Sequence, residues 1–129
     1  MTLLNDATIL IVDDYEINIQ VLKLILIRFG MKPEIATNGV IAVEKYKKNH
    51  HNIVLMDLMM PEMDGYEATK KIRLFEEENQ LDKALIVAVS ANYSQNENSE
   101  YLKSGFDDIL AKPFVYSDLQ RIFSRYFQL

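Results

Sequence analysis

The sequence contains no cysteine, which excludes both a disulfide framework and a metal site built from thiolates. It also has no surplus of basic residues, because 14 Lys and Arg stand against 19 Asp and Glu, for a net charge of −5. A broad nucleic-acid surface needs clustered Lys and Arg to displace counterions, and no segment has the pattern of a basic DNA-reading helix. We therefore expect that nucleic acid is not a partner of this chain.

The chain also lacks a long hydrophobic run. The longest apolar stretch, residues 17–29, is about half a membrane span and is interrupted by polar residues such as Asn18, Lys23 and Arg28. Residues 1–6 lack the basic start and apolar core of a secretory signal. We therefore expect no membrane contact by this chain, with the cytoplasm as its default location.

The remaining composition is that of an ordinary globular domain. The 129 residues are 49% hydrophobic and 26% charged. A chain of this length can bury most of its apolar surface without covalent cross-links. We predict a single domain over residues 1–129.

Short apolar runs alternate with longer segments of helical period along the chain. The short runs are rich in β-branched residues and are predicted as strands: residues 8–12, 33–37, 53–56, 84–89 and 108–111. The longer segments are predicted as helices: residues 16–29, 39–48, 65–78, 95–104 and 117 onward. Five such units with nearly all-apolar strands indicate a parallel sheet buried on both faces. Right-handed crossovers leave few topologies, and we predict the flavodoxin-like doubly wound (βα)5 fold with strand order 2-1-3-4-5.

Polar residues stand at the ends of four predicted strands: Asp13 and Asp14, Asp57, Ser90, and Lys112. Ligands of doubly wound sheets bind beyond the carboxyl ends of the strands, so these residues are expected to converge. At ~4 Å and an effective dielectric constant of about 20, each pair of carboxylates repels by roughly 4 kcal/mol. Raised pKa values or a bound divalent cation would relieve that repulsion. Oxygen ligands without Cys or His nearby favour Mg²⁺.

The same edge carries groups suited to a phosphate. Lys112 offers a positive charge to a phosphate oxygen, and Ser90 offers a hydroxyl donor. Asp57 stands alone at its strand end before a loop, which makes it the candidate nucleophile. A single Asp at a strand end is more often a turn former or helix cap, and Asp64 is predicted to be such a cap. The functional interpretation depends on all four places falling at carboxyl ends.

The sequence from Ile9 to Phe114 resembles the receiver domains of two-component response regulators. The matching segments are Ile-Leu-Ile-Val-Asp-Asp (9–14), Val-Leu-Met-Asp-Leu-Met-Met-Pro-Glu-Met-Asp-Gly (54–65), Val-Ala-Val-Ser-Ala (87–91) and Ala-Lys-Pro-Phe (111–114). The second segment is highly specific by itself. The opening of the chain resembles hybrid-kinase receivers slightly more than those of transcription factors.

The resemblance implies a set of metal ligands and a phosphorylation site. Asp57 is expected to accept a phosphoryl group and to ligate Mg²⁺ together with Asp14 and the backbone carbonyl of Met59. Asp13 is expected to act mainly through a coordinated water.

The resemblance also implies how the phosphoryl group is held. Ser90 is expected to bond it, and Lys112 to pair with it. The Lys112–Pro113 peptide is expected to be cis, which costs little before proline.

The function predicted from these residues is acceptance of a phosphoryl group from a phosphohistidine, followed by altered partner binding. The donor would be a histidine kinase or a histidine-phosphotransfer protein, and the chain would be no enzyme beyond self-catalysed phosphorylation and dephosphorylation. One alternative is an Mg²⁺-dependent aspartyl-phosphate phosphatase, although Met59 stands where such enzymes need an acid/base Asp. Another is a phosphorylation-independent interaction module, suggested by Ile109 at a position where receivers usually carry Tyr or Phe.

Of three further features, one has two interpretations, and two are interpreted as packing or loop residues. The first predicted helix has more apolar residues than one buried face needs, so its surplus either docks the kinase or phosphotransfer partner or adds to the core. Met56, Met59, Met60 and Met63 are interpreted as core and loop packing. His50 and His51 are predicted to lie in a solvated loop.

Overall fold

The fold is known from a computed structural model that describes residues 2–91 and 98–129, without the side chains of residues 98–100. The strands are β1 (Ile9–Val12), β2 (Glu34–Ala36), β3 (Ile53–Asp57), β4 (Leu85–Ser90) and β5 (Asp108–Ala111). The helices are α1 (Glu16–Arg28), α2 (Gly39–Asn49), α3 (Gly65–Glu78), α4 (Asn98–Lys103) and α5 (Tyr116–Tyr126), and a short 3-10 helix spans Leu4–Asp6. All strand pairs are parallel and the strand order is β2-β1-β3-β4-β5. The predicted doubly wound fold is confirmed.

Helices cover both faces of the sheet, which explains why the central strands are apolar up to their last residue. Ile9 and Ile11 of β1 face a core shared with α1 and α5, whereas Leu10 and Val12 face a core shared with α2, α3 and α4. Successive side chains of a strand point to opposite faces, so every side chain in the middle of a strand buried on both sides faces an apolar core. The polar residues of such a strand therefore lie at its last position or just after it, where the candidate site is built.

The predicted boundaries are close to the observed ones. Asn38 caps α2 by accepting the Ile41 amide (2.8 Å), and Asp64 caps α3 by accepting the Glu67 amide (2.9 Å), as expected for Asp64. Strand β1 begins one residue later than predicted, at Ile9. The predicted start of the fourth helix at residue 95 lies outside the described residues.

The prediction for the two histidines is wrong for His51. His50 ends α2 in the left-handed conformation (φ 48°), and the next side chain is buried, with only 3% of its surface exposed. The His51 Nε2 atom lies 2.6 Å from Glu34 Oε1 at the start of β2. This hydrogen bond holds the pKa of Glu34 below its ordinary value. His51 therefore joins the end of α2 to the edge strand.

No helix within residues 2–91 and 98–129 combines the length and the apolar character needed to cross a membrane.

Candidate functional site

The register of the sheet brings the predicted site residues to one edge. Val12 pairs with Met56, so Asp13 comes level with Asp57, the last residue of β3. The next two strand pairs continue the series, because Asp57 pairs with Val89 and Ser90 pairs with Ala111. Each pairing places the following polar residue at the carboxyl edge, ending with Lys112 after β5.

Three carboxylates meet at this edge. One carboxylate oxygen from each of Asp13, Asp14 and Asp57 lies within 4.8 Å of the others. Asp13 and Asp57 are only 2% and 6% exposed, whereas Asp14 is exposed. Asp13 Oδ1 accepts the Tyr15 amide (2.9 Å), which fixes the orientation of that carboxylate. The cluster predicted from strand ends is present.

Lys112 provides the positive charge of the site. Its Nζ atom lies 3.6 Å from Asp57 Oδ1 and 4.0 Å from Asp13 Oδ2. Its backbone amide donates to the Ser90 carbonyl (2.9 Å), which ties the ends of β4 and β5 together. The Lys112–Pro113 peptide is cis, as the resemblance led us to expect.

The surroundings of Asp57 disfavour its charged form more than they favour it. Burial raises the pKa of Asp57, and the neighbouring Asp13 and, to a smaller degree, Asp14 raise it further. Lys112 and the Met59 amide, which donates to Asp57 Oδ1 over 3.4 Å, act in the opposite direction without reversing the shift. The charged form of such a carboxylate is stabilised by any positive charge that is added beside it, such as a bound cation.

The donor set fits a hard divalent cation. Its side-chain ligands are carboxylate oxygens close enough to bind one ion, and repulsion between them is a reason to bind it. The roles predicted for Asp14, the Met59 carbonyl and Ser90 are consistent with their places at this edge, and they stay predictions.

Gly65 is a residue of the site that the sequence reasoning did not single out. A Cβ atom at this position would lie 2.4 Å from the backbone oxygen of Asp57 and 3.0 Å from the Cα of Leu58. The first turn of α3 therefore presses against the backbone of the candidate nucleophile, where only glycine fits. A glycine directly after the helix-capping Asp64 was the available clue, since helix starts seldom need one.

Ile109, the departure from the usual aromatic position, is half-buried and packs against the core shared with α2 and α3. Its side chain is aliphatic and has no ring to turn between a buried and an exposed position.

Comparison with known proteins decides the family. The sequence profile of the response regulator receiver domain matches residues 9–124. This chain belongs to the response regulator receiver domain family. The receiver domain thus accounts for nearly all of the sequence, in agreement with the resemblance noted from its motifs.

Similar proteins include parts of much larger signalling proteins. The peroxide stress-activated histidine kinase mak1 of Schizosaccharomyces pombe is 41% identical over 120 residues, covering 91% of this receiver domain and 7% of the kinase. The receiver domain of a sensor histidine kinase from Pseudomonas aeruginosa, with magnesium coordinated in its active site cleft, has a TM-score of 0.80 at 34% identity, covering 93% of this chain and 96% of that one.

A third similar structure contains a partner. It is the co-crystal structure of the Saccharomyces cerevisiae histidine phosphotransfer protein Ypd1 with the receiver domain of its downstream response regulator Ssk1. The TM-score is 0.84 at 33% identity, covering 93% of this chain and 88% of the matched one.

Proposed function

We propose that this receiver domain accepts a phosphoryl group on Asp57 from a phosphohistidine, with Mg²⁺ bound at the acidic cluster. The observation that carries the proposal is the position of Asp57. Its carboxylate is nearly buried at the end of β3, within 4.8 Å of two other carboxylates, and its Oδ1 lies 3.6 Å from the Lys112 ammonium.

Asp57 is the nucleophile of the proposed transfer. A carboxylate oxygen of Asp57 forms a bond to phosphorus as the phosphorus–nitrogen bond of the phosphohistidine breaks. The leaving imidazole nitrogen keeps the electron pair and takes up a proton. Lys112, whose ammonium lies 3.6 Å from Asp57 Oδ1, would pair with the transferred phosphoryl oxygens, and the Ser90 hydroxyl would donate to one of them. The product is an acyl phosphate on Asp57.

Four groups would hold the cation. Asp14, Asp57 and the Met59 carbonyl would bind it directly, and Asp13 would bind it through a water. When bound, Mg²⁺ supplies positive charge that offsets both the clustered carboxylates and the incoming phosphoryl oxygens.

The test uses acetyl phosphate as the donor with the purified chain. With Mg²⁺ present, intact-mass spectrometry should record the addition of one phosphoryl group, and the variant Asp57→Asn should record none. The matched control is Asp82→Asn, which makes the same chemical change at an exposed aspartate distant from the sheet edge in sequence. An unmodified wild type, or a fully modified Asp57→Asn variant, would contradict the proposal.

Self-catalysed phosphorylation and dephosphorylation are the most catalysis we propose for this chain. Met59 occupies the position two residues after the nucleophile, and a thioether cannot act as a general acid or base. A generic phosphate ester should therefore label the chain with about one phosphate and then be hydrolysed only as slowly as the chain dephosphorylates itself. Fast multiple turnover would favour the alternative aspartyl-phosphate phosphatase.

Helix α1 is the proposed docking surface for the histidine kinase or phosphotransfer protein. Its surplus apolar residues divide into two groups, since Leu22 and Leu26 are buried whereas Leu24 and Ile27 are 67% and 65% exposed. Ile25 is half-buried and packs against the core. A polar substitution at Ile25 or Leu26 would therefore damage the core, and the docking test belongs at the exposed positions.

Leu24→Ser and Ile27→Ser should slow transfer from a phosphohistidine partner while leaving phosphorylation by acetyl phosphate unchanged. Leu74→Ser on α3 is the matched control, because its side chain is 55% exposed on a different helix. Equal loss with both donors would place these residues in the fold instead of the docking surface.

The output of the domain is proposed to be altered partner binding in the cytoplasm. Ile109 cannot reproduce the ring movement expected of an aromatic residue, so the change would be carried by backbone and helix positions near β5. An interaction module that ignores phosphorylation is the alternative. Partner binding that stays the same in Asp57→Asn and in phosphorylated wild type would support that alternative.

A further inference from the structure

The loop between β3 and α3 carries three methionines, and one of them departs from the packing that we predicted. Met60 and Met63 are half-buried against the core, and Met56 of β3 is fully buried. Met59, in contrast, is 81% exposed, the largest exposed fraction of any large apolar side chain among the described residues. Packing therefore does not explain a methionine at this position.

The chain contains no cysteine, so thioether sulfur is the sulfur available for oxidation. Hydroperoxides convert methionine to its sulfoxide, and susceptibility follows access to solvent. Met31 and Met56 are buried and shielded, whereas Met59 is open to solvent. The order of oxidation among the described methionines should therefore begin at Met59.

Met59 also lies directly beside the phosphorylation site. Its amide nitrogen is 3.4 Å from Asp57 Oδ1, and only Leu58 separates the two residues in the chain. The side chain begins two bonds from that amide nitrogen, and its three rotatable bonds let the sulfur approach the edge where the three carboxylates meet. A change of polarity at this sulfur is therefore a change at the rim of the site.

We propose that Met59 is a reversible oxidation site for hydroperoxides, and that its sulfoxide lowers the phosphorylation of Asp57. In the reaction the oxygen–oxygen bond of the peroxide breaks, one oxygen forms a bond to the Met59 sulfur, and the other leaves as water or alcohol. The sulfur loses two electrons and the peroxide gains them. The second half of the proposal rests on the proposed function, whereas the first half does not.

The effect on phosphorylation follows from the polarity of the new group, which is neutral overall. The sulfoxide oxygen is a strong acceptor with partial negative charge, and it replaces an apolar thioether. It adds negative potential beside carboxylates and an incoming phosphoryl group, all of which are already negative. It also holds water near the acyl phosphate. Both effects reduce the phosphorylated fraction.

The first experiment treats the purified chain with dilute hydrogen peroxide and follows each methionine by peptide mapping. Met59 sulfoxide should form at least about tenfold faster than Met56 or Met31 sulfoxide, because those side chains are shielded. Met1, which lies outside the described residues, is quantified on its own peptide. Oxidation of Met59 no faster than that of buried Met56 would overturn the proposal, whatever Asp57 does.

The second experiment compares each protein with itself before and after peroxide. Phosphorylation of wild type by acetyl phosphate and Mg²⁺ should slow about threefold, the size expected for one added polar interaction, and methionine sulfoxide reductase should restore it. Met59→Leu cannot be oxidised at that position and should keep its own untreated rate. Met60→Leu, the matched control, should slow as wild type does.

The outcomes separate the two proposals. An untreated wild type that is never phosphorylated refutes the proposed function, while the peptide map still decides whether Met59 is the oxidation site. Wild type that is phosphorylated at one rate before and after complete Met59 oxidation refutes the regulatory half. A loss that Met59→Leu shares with wild type also refutes it, since another residue would then be responsible.

Discussion

Two ends of the same sheet hold buried carboxylates in opposite ways. Near the amino-terminal end of β4, Glu76 of α3 is only 2% exposed and its carboxylate is fully engaged. Tyr46 Oη donates to it over 2.7 Å, Arg73 Nη1 over 2.9 Å and the Ala84 amide over 2.7 Å. At the carboxyl end, Asp57 is also buried, at 6% exposed, but lies among like charges, with Lys112 as its nearby cation.

The comparison distinguishes the Glu76 carboxylate, which stabilises the fold, from the Asp57 carboxylate, which is proposed to react. Arg73 also donates to the Gly105 carbonyl and to Asp107, so the Glu76 network joins α3 to the segments that precede β4 and β5. Burial and the adjacent Glu76 carboxylate raise the pKa of Tyr46, which keeps its phenol a donor. Asp57, in contrast, accepts the Met59 amide over 3.4 Å, and its Oδ1 lies 3.6 Å from the Lys112 ammonium. It is left able to bind a cation and a phosphoryl group.

The largest expected effect comes from removing the Glu76 carboxylate, whose burial is compensated by its hydrogen bonds. Glu76→Ala should destabilise the domain by about 3–5 kcal/mol, because it leaves a half-buried guanidinium, a buried phenol and an amide without this acceptor. Urea unfolding followed by circular dichroism measures the loss. Glu77→Ala, an exposed neighbour on the same helix, is the control and should change stability by less than about 0.5 kcal/mol. Similar losses in both variants would mean that the network adds nothing.

The second prediction concerns Mg²⁺ binding at the carboxylates of Asp13, Asp14 and Asp57. Mg²⁺ at about 100 times its dissociation constant should stabilise the wild type by about 2.7 kcal/mol, because the folded cluster binds it and the unfolded chain does not. Thermal unfolding with and without Mg²⁺ gives the shift. A sodium salt without divalent cations, at the same ionic strength, is the control for electrostatic screening. An unchanged unfolding curve in saturating Mg²⁺ would be inconsistent with a metal site.

The third prediction removes one of the like charges. Without Mg²⁺, Asp13→Asn should stabilise the domain by about 1 kcal/mol, since it relieves repulsion with Asp57 and keeps an oxygen for the Tyr15 amide. The same variant should lose much of the stabilisation by Mg²⁺. Chemical unfolding at two Mg²⁺ concentrations tests both statements. A variant less stable than wild type in the absence of metal would show that Asp13 is chiefly structural.

The smallest expected effect is a dependence on pH. The pKa of Asp57 is raised above its ordinary value of 3.8, so the folded state binds its proton more tightly than the unfolded state does. Wild type should therefore gain stability relative to Asp57→Asn as the pH falls through the raised pKa toward 3.8, and lose it as the pH rises. Unfolding of both proteins without Mg²⁺, from neutral to mildly acidic pH, measures the difference. A constant difference would mean that the pKa is ordinary.

Much of the site could be predicted from the sequence because it is built from strand ends. An apolar run that ends in a polar residue marks its own carboxyl edge, and parallel strands bring those edges together, as for Asp13, Asp57 and Lys112. The surplus of apolar residues on α1 also pointed correctly to exposed positions such as Leu24.

The parts that escaped prediction depend on contacts between distant residues. His51 looked like a loop residue because its partner Glu34 belongs to another strand, and Glu76 finds Tyr46 on another helix. One clue to Glu76 was present, since it shares the buried stripe of α3 with Thr69 and Ile72. The exposure of Met59 depends on the path of its loop, which no local pattern specifies.

The most direct test of the account distinguishes Asp57 from the two carboxylates beside it. The chain is phosphorylated in the presence of Mg²⁺, the acyl phosphate is reduced with borohydride to the corresponding alcohol, and the altered residue is located by peptide sequencing. We expect homoserine at position 57 and unchanged aspartate at positions 13 and 14. Reduction at Asp13 or Asp14 in place of Asp57 would contradict the assignment of the nucleophile and the electrostatic argument behind it.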